Sequence, residues 1–472
     1  MLFNLCKSSE GVFNSVYRMQ LFAAASVTII TFCNGIAIGW FAPMLAKLQS
    51  PTESPVDFVA TVEQGSWIGS LLCIGGLTGN LLFGVLMDAI SRKACIYLLA
   101  VPHILSWILI YVAPSIEYLY AARFASGMTG GGNWVVVPIF IGEIADPIIR
   151  GRLTSLFTLA LNAGMLVGYI FSSYVPYHII PMAVILLPVL YLVIAIYFPE
   201  TPSYLLRCER EEEAEKSLKF YLNNKTLTKL ELEQFNIKYA ELKSAMKQQR
   251  AQADAVTLRD FFTKRSLRAF CIASSVVFIN IATGSFALLN YMSTIFVAVK
   301  TEIHPDTNTV LIGVVQILGA YIAMIVVDRF GRKVLLLVST ASTGICLAAF
   351  GTYAFLVDET NVDLTAYSSW LPLVLMALII LSANVGLIPV AAVIIVEILP
   401  TKIRAKGVSF CVALMSVFAF TLLKVFPPCM EAFGLATTIW ACAAFAALGL
   451  IYIAIFVPET KGKSMDVDED QY

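Results

Sequence analysis

The residues in this sequence that could do chemistry are mostly charged, and they recur in pairs. Glu143 and Arg150 lie seven positions apart, and Glu397 and Arg404 repeat that spacing in the second half of the chain. Carboxylate and guanidinium groups pair readily, and a pair that forms in only one conformation stabilises that conformation. The sequence therefore offers a repeated charge-pairing device rather than a single reactive centre.

Other kinds of reactive site lack support. The three histidines (His103, His178 and His304) are far apart, and the 10 cysteines include no Cys-x-x-Cys pair, so we expect no metal site. The glycines at 127 and 130–132 are not followed by the Gly-Lys-Ser/Thr of a phosphate-binding loop. Residues of this size instead let membrane helices pack closely. We therefore expect no enzyme activity and no cofactor.

The elements that must position the charged residues are membrane-spanning helices. Hydrophobic residues make up 58% of the chain and charged residues 14%, whereas soluble proteins are about 45–50% apolar and about 25% charged. Mean hydropathy is +0.80. These values exclude a soluble enzyme, and the zero net charge leaves no basic surface for nucleic acid. A span needs ~20 apolar residues, which predicts twelve spans near 19–42, 65–87, 94–114, 118–143, 153–175, 178–198, 267–298, 309–327, 334–357, 370–396, 406–427 and 434–457.

The twelve spans divide into two sets of six. The sequence predicts a six-helix bundle over 1–198, a linker over 199–266, a second six-helix bundle over 267–457 and a tail over 458–472. The linker has a charged run at 210–216 and apolar residues at helical spacing over 230–249, which favours amphipathic helices on the membrane surface. The predicted fold class is an all-α membrane protein with twelve transmembrane helices and a cytosolic helical linker.

Lysine and arginine predict the orientation of the spans. With the N-terminus in the cytosol, the outside loops contain only Lys47, Lys300 and Lys424, and Arg123 lies within a span, which leaves 28 of the 32 basic residues facing the cytosol. Both termini are therefore expected to be cytosolic. The sequon Asn224-Lys225-Thr226 then falls in the cytosolic linker and should carry no glycan.

Three short motifs occur once in each half, each at the predicted cytosolic end of a span. Asp-x-x-x-Arg-Lys occupies 88–93 and 328–333, Glu-x6-Arg occupies 143–150 and 397–404, and Pro-Glu-Thr occupies 199–201 and 458–460. Paired motifs at matching places indicate that the two halves repeat one structural unit.

This pattern resembles the sugar-porter family of the major facilitator superfamily, in the form of the insect facilitated trehalose transporters. Further matches are Gly39-Trp40 with Pro43, Trp67-Ile68-Gly69-Ser70, Arg123-Phe124, Pro138 and Pro458-Glu459-Thr460-Lys461-Gly462. The resemblance implies two bundles around a central path and a cytosolic gate whose charges pair across the bundles when that side closes. The gate residues are Asp88, Arg92, Glu143, Arg150, Glu200, Asp328, Arg329, Arg332, Glu397, Arg404 and Glu459. The alternative is that these charges only anchor helix ends.

The family's sugar site can be located by counting from these motifs, and it is eroded in this chain. Asn280 and Gln316 keep amides at family positions, whereas Asn384 stands where the family has Glu and Ser416 where it has Trp. The candidate substrate-binding residues are Asn280, Gln316, Thr283, Asn290, Asn384, Thr158, Asn162 and Ser416, with Ser285 beside them. An amide can both donate to and accept from a sugar hydroxyl. Alternatively, small polar residues of this kind hold membrane helices together.

The absence of a carboxylate within the spans predicts whether transport is coupled to protons. No carboxylate lies near the middle of any predicted span, so Arg123 lacks the acidic partner that a proton switch requires. The sequence thus favours downhill transport of a sugar, trehalose or a hexose such as glucose, across the plasma membrane by a protein that works as a monomer in the lipid bilayer. A sugar sensor with little turnover and a proton-coupled sugar symporter are the alternatives.

Overall fold

The computed structural model describes residues 17–223, 229–254, 258–327, 329–359, 370–400 and 402–461. Across these ranges the chain is helical, and 11 helical segments are long and apolar enough to cross a membrane. Ile179–Ala195 is a twelfth apolar helix of 17 residues. The twelve-span, all-α prediction is therefore confirmed. The sequon at 224–226 lies outside the described residues.

Seven helices build the first six spans, because the first span is broken at Trp40. Pro43 has no N–H to donate to the carbonyl of Gly39, so the helical hydrogen-bond ladder is interrupted there. The helices are α1 (Arg18–Gly39), α2 (Phe41–Gln49), α3 (Val62–Ala89), α4 (Arg92–Val112), α5 (Ile116–Ile144), α6 (Pro147–Tyr174) and α7 (Ile179–Ala195).

The linker and the last six spans follow. In the linker lie α8 (Pro202–Arg207), α9 (Glu211–Tyr221), α10 (Lys229–Asp254) and α11 (Leu258–Phe261). The spans are α12 (Lys264–Ala282), α13 (Ser285–Ala298), α14 (Pro305–Val326), α15 (Arg332–Glu359), α16 (Leu371–Ser382), a π-helical turn (Ala383–Leu387), α17 (Ile388–Ile398), α18 (Arg404–Phe433) and α19 (Leu435–Phe456). The seventh span breaks at Gly284, whose φ of 75° suits glycine. The π turn interrupts the tenth span.

The apolar core shows how the two bundles meet. At the end that carries Lys47, here called the distal end, buried residues of both bundles such as Trp40, Phe41 and Met292 belong to one continuous cluster. At the end that carries the linker, here called the linker end, each bundle has a cluster of its own, around Phe140 in the first and Ile394 in the second. The bundles are therefore packed together at the distal end and separate towards the linker end.

Glycines allow direct backbone contact within the first bundle. A Cβ on Gly131 of α5 would lie 1.9 Å from the carbonyl oxygen of Gly76 in α3, and a Cβ on Gly164 of α6 would lie 2.1 Å from that of Phe32 in α1. Since no side chain larger than hydrogen fits there, small residues fix the two helix pairs at close range. The structure thus supports close helix packing as the role of the glycine run.

We expect Gly131→Ala to destabilise the first bundle, because the added methyl group meets backbone that cannot move aside. Overpacking of this kind costs about 1–3 kcal/mol, which should lower the melting temperature of the purified protein by several degrees. Gly142→Ala in the same helix is the matched control, since nothing lies within 4 Å of its Cβ position. Equal melting temperatures for both variants would contradict this account of the packing.

Candidate functional site

At the linker end, the paired motifs of the first half form one connected network. Arg92 Nε donates to Glu143 Oε1 at 3.0 Å, and Arg92 Nη1 donates to the Met87 carbonyl at 2.8 Å. Thr201 donates its hydroxyl hydrogen bond to the other oxygen of Glu143. The Glu200 carboxylate accepts the backbone N–H of Lys93 at 3.1 Å. It therefore lies at the N-terminus of α4, where free amides favour a negative charge.

The second half repeats this network contact by contact. Arg332 Nε lies 3.4 Å from Glu397 Oε1, and Arg332 Nη1 donates to the Val327 carbonyl at 3.2 Å. Thr460 donates to Glu397, and the Glu459 carboxylate accepts the N–H of Arg332 at 2.8 Å. Both copies thus join the ends of four helices of one bundle through one arginine and two carboxylates.

In this conformation the charges pair within each bundle, whereas the predicted pairing across the bundles concerns the conformation in which the linker end is closed. Arg92 and Glu143 both belong to the first bundle, and Arg332 and Glu397 both belong to the second. The reason is that α4 begins beside the end of α5 in one bundle, and α15 begins beside the end of α17 in the other, so the partners are neighbours before the bundles approach each other. In this conformation the networks hold each bundle's own helices together.

The remaining predicted gate residues bind to nearby helix ends. Arg150 donates to the Ala145 carbonyl at 3.4 Å and Arg404 to the Leu399 carbonyl at 3.2 Å, so each caps the preceding helix. Asp88 pairs with Arg207 of α8 at 2.8 Å. Arg329 is exposed, and its carbonyl accepts a hydrogen bond from Lys461. Asp328 lies outside the described residues.

The linker is attached to the first bundle through an acidic residue. Asp146 caps α6 through the N–H of Ile148 and pairs with Lys238 of α10. Burial raises the pKa of Asp146, but the hydrogen bonds from Lys238 and Ile148 outweigh it and hold the pKa below its ordinary value. The contact therefore stabilises the folded protein at neutral pH, and that stabilisation is lost as the pH falls through the lowered pKa.

At the distal end, polar and aromatic contacts cross between the bundles. Lys47 of α2 lies 3.4 Å from Asp306 of α14 and also donates to the Ser172 and Ser173 carbonyls at the end of α6. Lys424 of α18 donates to Ser66 of α3 at 2.9 Å and lies 4.2 Å above the ring of Trp67. We call these four side chains (Lys47, Asp306, Lys424 and Trp67) the distal clasp.

Arg123 is buried between these contacts and the centre of the first bundle. It is 1% exposed, donates to the carbonyls of Ala37 at 2.7 Å and Ile68 at 3.2 Å, and lies 4.7 Å from the centre of the Phe41 ring. Ala37 is at the broken end of α1, where carbonyls lack helical partners. The positive charge is therefore balanced by carbonyl dipoles and an aromatic face.

Three of the predicted amides lie in one connected region of the second bundle. Asn280 of α12 donates to the Leu387 carbonyl in the π turn at 3.3 Å. Asn384 lies three residues earlier in that turn and packs against Gly319 of α14. A Cβ added at Gly319 would lie 3.0 Å from the Asn384 Cβ. Gln316 lies one turn before Gly319 and is 4% exposed. The seventh, eighth and tenth spans thus bring these amides close to the π turn.

Gln316 also reaches the other bundle. Its Nε2 lies 3.4 Å from the sulfur of Met165 in α6, one turn after Asn162. The Asn162 amide is buried and donates to the Thr158 carbonyl at 2.8 Å, while the side chain of Thr158 is exposed. Asn162 therefore lies one turn from the residue that Gln316 contacts, and Thr158 precedes Asn162 by one turn on the same face of α6.

The other predicted site residues make hydrogen bonds within their own spans. Thr283 donates to the Asn280 carbonyl at 2.8 Å and lies 3.4 Å from Ser285, so both line the break between α12 and α13. Asn290 is buried in α13 and donates to Phe286. Ser416 bonds within α18, to the Val412 carbonyl at 3.2 Å.

Comparison with known proteins identifies the family. A family model described as "Sugar (and other) transporter" matches residues 19–470. The chain is 30% identical over 447 residues to the facilitated trehalose transporter Tret1 of Bombyx mori, covering 95% of this chain and 85% of that protein. This chain belongs to the sugar transporter family. It is also 29% identical over 454 residues to Tret1 of Polypedilum vanderplanki, covering 96% and 88% of the two chains.

Solved structures show the fold of this family member. An inward-open structure of the xylose transporter XylE from E. coli has a TM-score of 0.77 at 19% identity, covering 94% of this chain and 98% of that one. A structure of XylE titled as a major facilitator superfamily proton:xylose symporter has a TM-score of 0.70 at 20% identity, covering 96% and 98%. The fold is therefore the major facilitator fold, and the protein is a multi-pass membrane transporter rather than an enzyme.

Sequence reasoning about this transporter missed the distal clasp, although a signal was present. Basic residues are rare in the loops predicted to lie outside, and two of the three there, Lys47 and Lys424, make contacts between the bundles. Since a lysine at that place runs against the usual charge bias of membrane proteins, its presence already indicated a specific partner. The partners Asp306 and Trp67 become evident only when the helices are assembled.

We expect Asp306→Asn to shift this transporter towards conformations that are open at the distal end, because the variant loses the charge that Lys47 faces. A partly exposed ion pair is worth about 1 kcal/mol or less, so the shift should be roughly two- to fivefold. Spin labels at Glu53 and Glu302, in distal loops of the two bundles, would report it as a larger fraction of long distances. The exposed Asp57→Asn in the same region is the control, and identical distance distributions in both variants would show that the pair does not hold this end closed.

Proposed function

We propose that the protein is a facilitative transporter of a sugar, trehalose or a hexose such as glucose, in the plasma membrane. Membership of the sugar transporter family supports this, as do the facilitated trehalose transporters among its relatives. We propose that the linker end and both termini face the cytosol, which the distribution of basic residues supports. We further propose that one chain is sufficient for transport.

One observation carries the proposal of a hydroxyl-rich substrate. The side-chain oxygens of Gln316 and Asn290 are buried and have no hydrogen-bond partner among the described residues. A buried acceptor without a donor costs about 1–3 kcal/mol, so these two amides gain from a ligand that brings hydroxyl groups. Sugars supply such donors in number, and both oxygens lie in the bundle that contains the π turn.

The proposed transport cycle uses the two ends of the molecule in turn. Here the distal end is closed by the distal clasp and by the shared apolar cluster, while the bundles have separate cores at the linker end. The substrate would leave between the bundles at the linker end in this conformation. Breaking the distal clasp and docking the linker ends of the bundles would expose the same amides to the outside.

Downhill transport rather than proton coupling follows from the surroundings of Arg123. Its hydrogen bonds go to two backbone carbonyls, which cannot take up or release a proton at physiological pH. A proton-driven cycle needs a group that titrates within the membrane. Arg123 instead stays positively charged and donates a hydrogen bond to the Ala37 carbonyl beside the helix break at Trp40.

Uptake into liposomes of labelled trehalose, glucose and fructose, with and without a proton gradient, tests this function. We expect at least one of these sugars to reach the same concentration inside and outside the liposomes. Neither a proton gradient nor a protonophore should change this final concentration. Accumulation that a protonophore abolishes would establish a symporter. Binding without uptake in a correctly inserted protein would establish a sensor.

We expect Gln316→Leu to weaken the apparent affinity for the transported sugar roughly five- to hundredfold, since the loss of a hydrogen-bonded partner costs ~1–3 kcal/mol. Asn280→Leu should weaken it at least as much, because it also frees the Leu387 carbonyl. Thr352→Val is the control, as that exposed hydroxyl bonds only within its own helix. Wild-type affinity in both amide variants, at normal surface expression, would place the sugar elsewhere.

A further inference from the structure

We propose that Ser339, in the ninth span, is a positioning residue that holds the π turn of the tenth span in the shape that the sugar-binding amides require. The proposal rests on the proposed sugar site, because it concerns the same amides. It adds a residue that does not itself contact the sugar. The observations that carry it are the hydrogen bonds at the two ends of the π turn and the close approach of α15 to that turn.

The Ser339 hydroxyl joins two backbone groups of the widened turn. Its Oγ donates to the Ser382 carbonyl at 2.5 Å and accepts the N–H of Leu387 at 2.7 Å. Ser382 immediately precedes the π turn and Leu387 is its last residue. A single buried side chain therefore links the first and last groups of the turn, and Ser339 is only 4% exposed. Side chains inserted at such a point are a known cause of irregular helix geometry.

Gly386 is what lets α15 come so close. A Cβ at Gly386 would lie 2.6 Å from the Ser339 Cβ and 2.9 Å from the Leu335 carbonyl oxygen. Since any larger residue would push α15 away, the glycine and the serine act together. Pro389, just after the turn, has no N–H to donate, so the backbone here cannot complete a regular α-helical ladder by itself.

The turn positions two of the proposed substrate-binding amides. Asn384 belongs to the turn, and Asn280 donates to the carbonyl of Leu387, the same residue whose N–H Ser339 holds. A π turn contains one residue more than the α-helical turn it replaces, and one residue corresponds to a rotation of about 100°. Relaxation of the turn would therefore rotate Asn384 away from Gly319 and withdraw the carbonyl that Asn280 contacts.

Two independent readouts test the proposal in the full-length protein in lipid nanodiscs. The first, amide hydrogen exchange of the segment 383–390, needs no substrate, and we expect Ser339→Ala to exchange several times faster than wild type. The second is sugar transport, for which Ser339→Ala should raise KM roughly five- to tenfold while the maximal rate changes less than twofold. Ser339→Thr keeps the hydroxyl and should restore both values.

The matched control is Ser342→Ala, in the same helix. Ser342 donates only to the Ser339 carbonyl, at 3.1 Å, and so should leave exchange and KM unchanged. In a background of Asn384→Ala, Ser339→Ala should add little to KM, because residues that act through one turn are not additive. A residue that only stabilises the fold would instead lower the yield of folded protein without a selective change in KM.

Equal exchange of segment 383–390 in Ser339→Ala and Ser342→Ala would overturn the proposal, since the turn would then hold its shape without the serine. Faster exchange with unchanged KM would also overturn it, because the amides would not depend on the turn. If the wild-type protein carries no sugar at all, the proposed function fails, and the exchange comparison still decides whether Ser339 holds the turn.

Discussion

The constraint on which this structure depends is that lipid offers no hydrogen bonds, so every polar group freed within a span must find a partner inside the protein. Two of the three breaks meet this requirement with a side chain from another span. Arg123 binds the carbonyl of Ala37 at the break of the first span, and Ser339 and Asn280 bind backbone groups of the π turn. The irregular backbone at these breaks is thus stabilised by tertiary hydrogen bonds, and the same hydrogen bonds hold particular helices next to each other.

The two bundles meet this constraint in different ways, although their sequences repeat the same motifs. In the first bundle, glycines bring α3 onto α5 and α1 onto α6 at backbone contact. In the second, Gly386 also brings the tenth span close to α15, and the side chains of Ser339 and Asn280 hydrogen-bond to the π turn from two neighbouring spans. Backbone contact leaves little room for movement, whereas a turn held by two side chains can change shape when one of them is released. Gln316 and Asn290, the predicted site residues whose buried side-chain oxygens have no partner among the described residues, both lie in the second bundle.

The sequence predicted the membrane-spanning helices well, because hydropathy is a local property. It could not predict the partners that Arg92 and Arg332 have in this conformation, because a partner depends on which helix ends are adjacent, and that is settled by assembly. Ser339 could not be singled out for a similar reason. In the sequence it is one of several small polar residues in an apolar run, and only the approach of Gly386 shows that its hydroxyl has two backbone partners.

The charge networks at the linker end also limit how that end can close. Glu143 and Glu397 are already engaged by an arginine and a threonine of their own bundle. Exchanging such partners for ones across the gap would leave partly buried charges unpaired during the change, and unpaired buried charges are costly. Closure is therefore easier if each bundle end moves as a unit and adds contacts at its surface. The free energy that separates the two conformations then depends on contacts that exist in only one of them, and at the distal end these include Lys47 with Asp306 and Lys424 with Trp67.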